Sequence, residues 1–255
     1  MSNSKNKTAL ITGATAGIGR AYAFELASRG MDLVLVARDN ERLTLLANEL
    51  KNKFDIKTEI LVADLTNKVA LGEVACRAAA EDIELVINNA GFGIKQDFVG
   101  GGLAAEQDLL DVLVGAVLQI THAAMPGLVA RNSGGVINVS SVAGWLSSGT
   151  YSSAKAWVTS FSEALAFQHR ASQVHVMALC PGYTRTEFHQ RANMEISTVP
   201  NWMWLDVDKV VKTSLKDFAR NKPVSVPGLQ YKILSFVAQY LPRPVVRRIS
   251  NTSRR

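Results

Sequence analysis

Apolar, β-branched runs recur along the chain with helical patterns between them. TALITG (8 to 13), LVLVA (33 to 37), EILVA (59 to 63), LVINN (85 to 89), GVINVS (135 to 140) and VHVMAL (174 to 179) predict buried strands. Their apolarity is continuous rather than alternating, which marks strands covered on both faces. Helices are predicted over Gly17 to Arg29, Asn40 to Phe54, Lys68 to Ala80, Ala104 to Ala130 and Ser152 to Arg170. In the last of these, Ala154, Val158, Phe161 and Leu165 fall three and four apart and form one apolar stripe. Strand alternating with helix specifies an α/β fold, a doubly wound parallel sheet with helices on both faces. PVSVP (223 to 227) adds a late strand, followed by an apolar-basic helix from about Leu229 to Tyr240 that Pro242 and Pro244 end. Residues 1–228 then form one domain, and 229–255 an extension packed on it or trailing from it.

Composition narrows the class. With 255 residues, 47% hydrophobic, 20% charged and 18 glycines, the chain is a globular protein rather than a collagenous, low-complexity or disordered one. No continuous apolar run approaches the roughly 18 residues of a membrane span, and MSNSKNK leads into TALITG without a signal-peptide core, so a cytoplasmic location is expected. Cys76 and Cys180 have no neighbouring Cys or His for a zinc site and read as packed thiols. The four histidines are isolated and read as structural or exposed. Charge is uneven: residues 221–255 carry +7 without an acid, against +6 for the whole chain. Such a basic end is either a solvated face or a contact for an anionic membrane or partner. Nucleic acid is not expected, because no stacking aromatics interleave with the cations of the tail.

The first strand runs into Thr12-Gly13-Ala14-Thr15-Ala16-Gly17-Ile18-Gly19 at the start of a helical pattern. Glycines there permit a tight turn and close approach to a phosphate, and the free N–H groups of the helix start supply an anion site. The alternative is a plain glycine-rich turn.

The Gly-x-x-x-Gly-x-Gly spacing resembles the short-chain dehydrogenase/reductase family. Further motifs follow in that family's order: Asn88-Asn89-Ala90-Gly91 after the fourth strand, Tyr151-Ser152-Ser153-Ala154-Lys155, and Pro181-Gly182-Tyr183-Thr184-Arg185-Thr186 after the sixth. The resemblance spans about residues 7 to 228 and implies a single Rossmann-like domain. It also implies homodimers or homotetramers packed through the long helices from Ala104 and Ser152.

Tyr151 and Lys155, four apart, share a helix face, so an ammonium can lie near the phenol and lower its pKa toward working pH. The resemblance makes Tyr151 the acid-base that protonates a substrate carbonyl oxygen. It makes Lys155 a tuner that also holds the nicotinamide ribose, and Ser141 the hydroxyl that positions the oxygen. Thr12, Gly13, Gly17, Ile18, Gly19, Arg38, Asp64, Asn89, Gly91 and Thr186 would hold the cofactor. At the end of the second strand stands Arg38 rather than an acid, a cation suited to a 2′-phosphate, which favours NADP(H) over NAD(H). Asp39 is the competing signal, but Asp39-Asn40-Glu41 also fits a helix cap with first-turn acids. Asp64 is matched to the family's adenine contact, or is another helix cap.

Two departures stand out. The long helix has Leu113 where the family places an asparagine that holds a relay water, and leucine has no polar atom for one. Ser141 precedes Tyr151 by ten residues, a loop about three shorter than the family's, which leaves Ser140 as the alternative and strand-end capping as a role for either. Residues 185–208 include Phe188, Met194, Ile196, Val199, Trp202, Met203, Trp204 and Leu205, either a lid over an apolar substrate or a loop anchored on the core. Val226-Pro227-Gly228-Leu229-Gln230 and the stretch after it look like the ends of ketoacyl, hydroxysteroid and mycolate reductases. The expectation is an oxidoreductase moving hydride between NADP(H) and a hydrophobic ketone or alcohol. The alternative is an NADP(H)-binding sensor or scaffold that no longer catalyses.

Overall fold

The computed structural model describes residues 7–94, 96, 98–146, 148–188 and 199–240. Seven strands, β1 (Thr8–Thr12), β2 (Asp32–Ala37), β3 (Thr58–Val62), β4 (Ile83–Asn88), β5 (Gly135–Val139), β6 (His175–Leu179) and β7 (Val224–Ser225), form one sheet in the order β3-β2-β1-β4-β5-β6-β7. Every pairing is parallel. The helices are α1 (Gly17–Ser28), α2 (Asn40–Phe54), α3 (Lys68–Ala78), α4 (Leu103–Leu110), α5 (Ala116–Arg131), α6 (Gly149–Gln168), α7 (Val207–Phe218) and α8 (Leu229–Tyr240). One apolar core packs α1, α2 and α7 against one face of the sheet, and a second packs α3, α5 and α6 against the other. This is the doubly wound sheet that the alternating pattern predicts.

Because every strand runs the same way, the segments after β1 to β6 all emerge at one edge. The strand order reverses between β1 and β4, which opens a crevice there. The edge is braced by a buried polar chain. Asn88 and Asn138, directly paired across β4 and β5, share a hydrogen bond of 2.9 Å. Asn88 also donates to Thr121 of α5 at 3.0 Å, and Asn138 to Ser162 of α6 at 3.0 Å. Losing one member would strand buried partners, at about 1–3 kcal/mol each.

Four features depart from the sequence reading, the first being that Cys76, read with Cys180 as a packed thiol, is exposed whereas Cys180 is buried. EILVA predicts a strand buried on both faces, yet β3 is the sheet's edge and Val62 is exposed. The helix predicted over Ala104 to Ala130 is interrupted by a π turn at Asp111–Gly115 between α4 and α5. The whole stretch Leu103–Arg131 is also long and apolar enough to cross a membrane by length and composition, which a search for continuous apolar runs overlooks. Half of its most apolar window is buried inside the fold.

Candidate functional site

The turn after β1 is built by close approach. Gly13 and Gly17 adopt φ of +65° and +51°, open to glycine at little cost. A Cβ on Gly19 would lie 2.3 Å from the Gly13 carbonyl oxygen and 2.5 Å from Asn89 Nδ2, so α1 can begin this close to the loop only without a side chain. Ala16, the N-cap of α1, supplies no side-chain cap. The caps of α2, α3 and α7, by contrast, are Asp39, Asn67 and Asp206. The first-turn N–H groups of α1, including that of the partly buried Ile18, thus form a positive end suited to a phosphate. Thr186 stands opposite, its Cβ and Cγ2 each 3.1 Å from where a Gly17 Cβ would be, and its hydroxyl accepts from Phe188 N.

Thr12 and Asn89 brace this turn. Thr12 Oγ1 accepts from Asn89 N at 2.9 Å and Ala90 N at 3.0 Å, while Asn89 Nδ2 donates to the carbonyls of Thr12 and Gly13 at 2.9 and 3.2 Å. Both side chains tie β1 to β4, so they shape the crevice through the backbone.

At the end of β2, Arg38 extends a side chain that is 74% exposed and 3.9 Å from Asp64. Asp39 is spoken for: Oδ1 caps α2 by accepting from Arg42 N at 3.0 Å, and Oδ2 lies 3.7 Å from Arg42 Nε. Asp64 closes its own turn, Oδ1 accepting from Thr66 N and Oγ1 at 3.0 and 2.8 Å. Those two bonds, the backbone one foremost, and the nearby Arg38 hold its carboxyl below the usual range against the opposing effect of burial. The cap of α3 is Asn67, so the helix-cap alternative for Asp64 falls away.

Beyond β5, the shortened loop still reaches. Ser141 caps a 3-10 turn, Val142–Trp145, through Ala143 N at 3.1 Å, and its side chain hydrogen-bonds Tyr151 near the start of α6. Gly144 lets that turn lie on α6, where a Cβ would come within 2.9 Å of Ala156 N. Ser140 is instead buried beneath α6, donating to the Lys155 carbonyl at 2.7 Å and sharing a bond of 2.7 Å with Thr159. The geometry therefore selects Ser141 over Ser140.

The electrostatic expectation for the tyrosine is reversed. Lys155 Nζ lies 5.7 Å from the Tyr151 ring centroid and donates to the Val139 carbonyl at 2.7 Å. Burial of the phenol pushes Tyr151 up to about 12, with the Ser141 bond opposing it. Burial likewise pushes Lys155 down to about 8, against a small opposing influence of Cys180. Desolvation sets the direction here, and the ammonium is directed at a backbone carbonyl rather than at the phenol oxygen. The phenol is thus held protonated throughout the neutral range.

Leu113 fills the place where the resemblance expects a relay. It is fully buried in the π turn, clusters with Leu109, Ala154, Phe92, Ile94 and Tyr151, and comes within 2.7 Å of where a Gly91 Cβ would lie. On the opposite side, the Phe188 ring stands 6.0 Å from that of Tyr151. The apolar segment divides between the two readings. Trp204 is anchored, its ring 5.6 Å from Tyr183 and its Nε1 donating to Val199 O, whereas Trp202 is 63% exposed. Met194, Ile196, His189 and the tail arginines Arg243, Arg247, Arg248, Arg254 and Arg255 lie outside the described residues.

The sequence reading missed Gly144, Tyr231 and the apolar wall of Phe92 and Ile94. Tyr231, fully buried on α8, accepts from Tyr183 N and donates to Met203 O at 2.7 Å, pinning the segment after β6. An aromatic amid an apolar helix gives no signal of such a role. A separate groove of about 670 Å³ runs beside α1, with Arg20, Lys53, Arg185 and Lys212 balanced by Glu25, Glu49, Glu187 and Asp208; it meets the crevice only around Gly17 and Thr186.

A family model described as short chain dehydrogenase matches residues 7–197. The human protein named inactive hydroxysteroid dehydrogenase-like protein 1 is 30% identical over 192 residues, 72% of this chain and 58% of that protein. The very-long-chain 3-oxoacyl-CoA reductase of Bos taurus is 28% identical over 215 residues, 82% and 67% of the two chains. The chain thus spans under two thirds of the length of the first curated relatives, 58% and 56%. Among solved structures, a short-chain dehydrogenase from Sphingobium yanoikuyae in complex with NADPH aligns with TM-score 0.84 at 34% identity, over 91% of this chain and 93% of that one. The bulky-bulky ketone specific alcohol dehydrogenase from Comamonas testosteroni aligns with TM-score 0.81 at 30% identity, over 92% and 93%. Since the family model covers most of the chain and the parallel sheet carries its motifs on one edge, this chain belongs to the short chain dehydrogenase family.

Proposed function

We propose that this protein is an NADP(H)-dependent carbonyl reductase acting on hydrophobic ketones. The observation that carries the reading is the Ser141–Tyr151–Lys155 arrangement beside the uncapped glycine turn. A phenol held protonated, with a hydroxyl bonded to it, carries the proton that a reduced carbonyl oxygen requires. A nicotinamide held in this crevice would supply hydride to the carbonyl carbon. Ser141 would orient the oxygen, Tyr151 would give it the proton, and Lys155, beside the Tyr151 ring, would hold the nicotinamide ribose. The turn from Gly13 to Gly19 and Thr186 fits the phosphates, exposed Arg38 fits a 2′-phosphate on the adenosine ribose, and Asp64 fits an adenine contact. The apolar wall of Leu113, Phe92, Ile94 and Phe188 around Tyr151 supports an apolar substrate. So do the names of two matched proteins, a ketone-specific alcohol dehydrogenase and a very-long-chain 3-oxoacyl-CoA reductase. Homo-oligomers packed through α4, α5 and α6 belong to the same reading.

The test is oxidation of NADPH and of NADH over a panel of apolar ketones and 3-ketoacyl thioesters. Turnover that prefers NADPH and bulky apolar acceptors is expected; turnover with NADH alone, or with small polar carbonyls alone, overturns the assignment. A non-catalytic NADP(H)-binding role has one observation of its own, the apolar plug at Leu113. It predicts tight NADPH binding with no turnover on any acceptor.

A further inference from the structure

Helix α8 is mounted with its polarity inverted. Only Tyr231 and Ser235 are buried, whereas Leu229 (72% exposed), Ile233 (56%), Phe236 (61%) and Tyr240 (74%) face outward. At about 100° per residue these four fall within roughly 60° of one another, one continuous stripe broadened by exposed Leu234 and Val237. The Phe236 and Tyr240 rings pack on each other with centroids 4.5 Å apart, an aromatic pair at the outer surface. A helix that needed only to cover the core would turn this stripe inward. Contiguous apolar surface of this kind marks a contact.

The position of the helix adds to this. Gln230 donates to the Trp202 carbonyl at 3.2 Å and Tyr231 to that of Met203 at 2.7 Å. The helix also packs on the 3-10 turn that Ser141 begins. Exposed Trp202 and Leu146 therefore adjoin the helix, and the turn it packs on begins at Ser141, the partner of Tyr151. Charge identifies the occupant: in sequence, residues 221–255 hold seven Lys and Arg and no Asp or Glu, Lys222 and Lys232 within the described residues and five arginines in the stretch that follows α8. An apolar stripe followed by cations is complementary to a bilayer with anionic headgroups, the apolar residues entering the headgroup–acyl boundary and the cations meeting the phosphates.

We infer that the outer face of α8 docks this protein on an anionic membrane surface, with the mouth of the crevice turned toward the bilayer so that a lipid-borne carbonyl compound enters from it. The docking is independent of the reductase reading; the delivery of substrate rests on it.

The experiment is co-sedimentation of the full chain with phosphatidylcholine vesicles, with and without phosphatidylserine, scored by bound fraction so that failed catalysis cannot be mistaken for failed docking. The wild type should bind the phosphatidylserine vesicles, and Ile233→Asp with Phe236→Asp should lower the partition coefficient at least about tenfold while the melting temperature holds. Because those side chains are exposed, the variant should fold; changing Arg243, Arg247 and Arg248 to Gln gives a second test, with a loss that shrinks as salt rises. Three results overturn the proposal: no binding by the wild type, binding unaffected by either variant, or a self-associated protein in vesicle-free solution that the Asp variant converts to monomer. The last would assign the stripe to a second copy of this chain.

Discussion

Lys155 stores a cost that a single substitution exposes. Its ammonium is buried, and its pKa is 10.5 in the unfolded chain but about 8 in the folded one. The folded chain therefore sheds the proton first. The penalty is complete below about pH 8, shrinks as pH rises, and is gone above about pH 10.5. That gap is worth roughly 3 kcal/mol at about pH 7 and roughly 1.5 kcal/mol at about pH 9.5. Lys155→Met keeps the stem and removes the charge, and it leaves the Val139 carbonyl without its 2.7 Å donor at every pH. The lost bond offsets the stabilities by a constant, so the change with pH isolates the buried charge. Tyr151 and Cys180, pushed up to about 12 and about 11, stay protonated in the folded state of both proteins over this range. Going from about pH 7 to about pH 9.5, wild type should gain on Lys155→Met by about 2 kcal/mol, or about 4–8 °C in relative melting temperature. The assay is thermal denaturation of both cofactor-free proteins at the two pH values. A difference that does not move with pH would mean that Lys155 titrates as an exposed lysine, and the desolvation argument for the whole site would fail with it.

Gly19→Ala should cost about 1–3 kcal/mol, read as a lowered melting temperature, and weaken dinucleotide binding in titration, because its Cβ would meet the Gly13 oxygen at 2.3 Å. A variant with wild-type stability and affinity would contradict the close approach. Arg38→Ala should weaken NADPH but not NADH by about 1.5–3 kcal/mol in fluorescence titration; equal losses would remove Arg38 from cofactor selection. Leu113→Asn places a buried amide among Leu109, Ala154 and Phe92 and should lower stability by about 1–3 kcal/mol in urea denaturation. A variant as stable as wild type would show that the π turn already holds polar partners for it.

Continuous apolar runs made the strands and the layered fold legible, since a strand buried on both faces has no polar side to alternate. The motifs were legible because each follows a strand, and a parallel sheet delivers all such segments to one edge. Directions across space were not. Nothing near Lys155 in sequence points to Val139, so the four-residue spacing suggested a lowered phenol where burial raises it. Thr12 and Asn89 read as ligand contacts from their place in the motif, and no spacing announced the bonds that Thr12 Oγ1 and Asn89 Nδ2 also make between the β1 and β4 segments. The π turn has no local signature, and β3 reads as fully buried because Ile60 and Leu61 pack on opposite cores while its place at an edge leaves Val62 exposed. The period of α8 showed two faces without showing that Tyr231 and Ser235 are the pair turned inward.

The central claim is that Tyr151 donates the proton. It is tested most directly by kcat for NADPH-driven ketone reduction in wild type and Tyr151→Phe, with NADPH affinity measured alongside. The account predicts a fall of at least about a hundredfold in kcat with NADPH affinity unchanged. Undiminished turnover in the phenylalanine variant would contradict it.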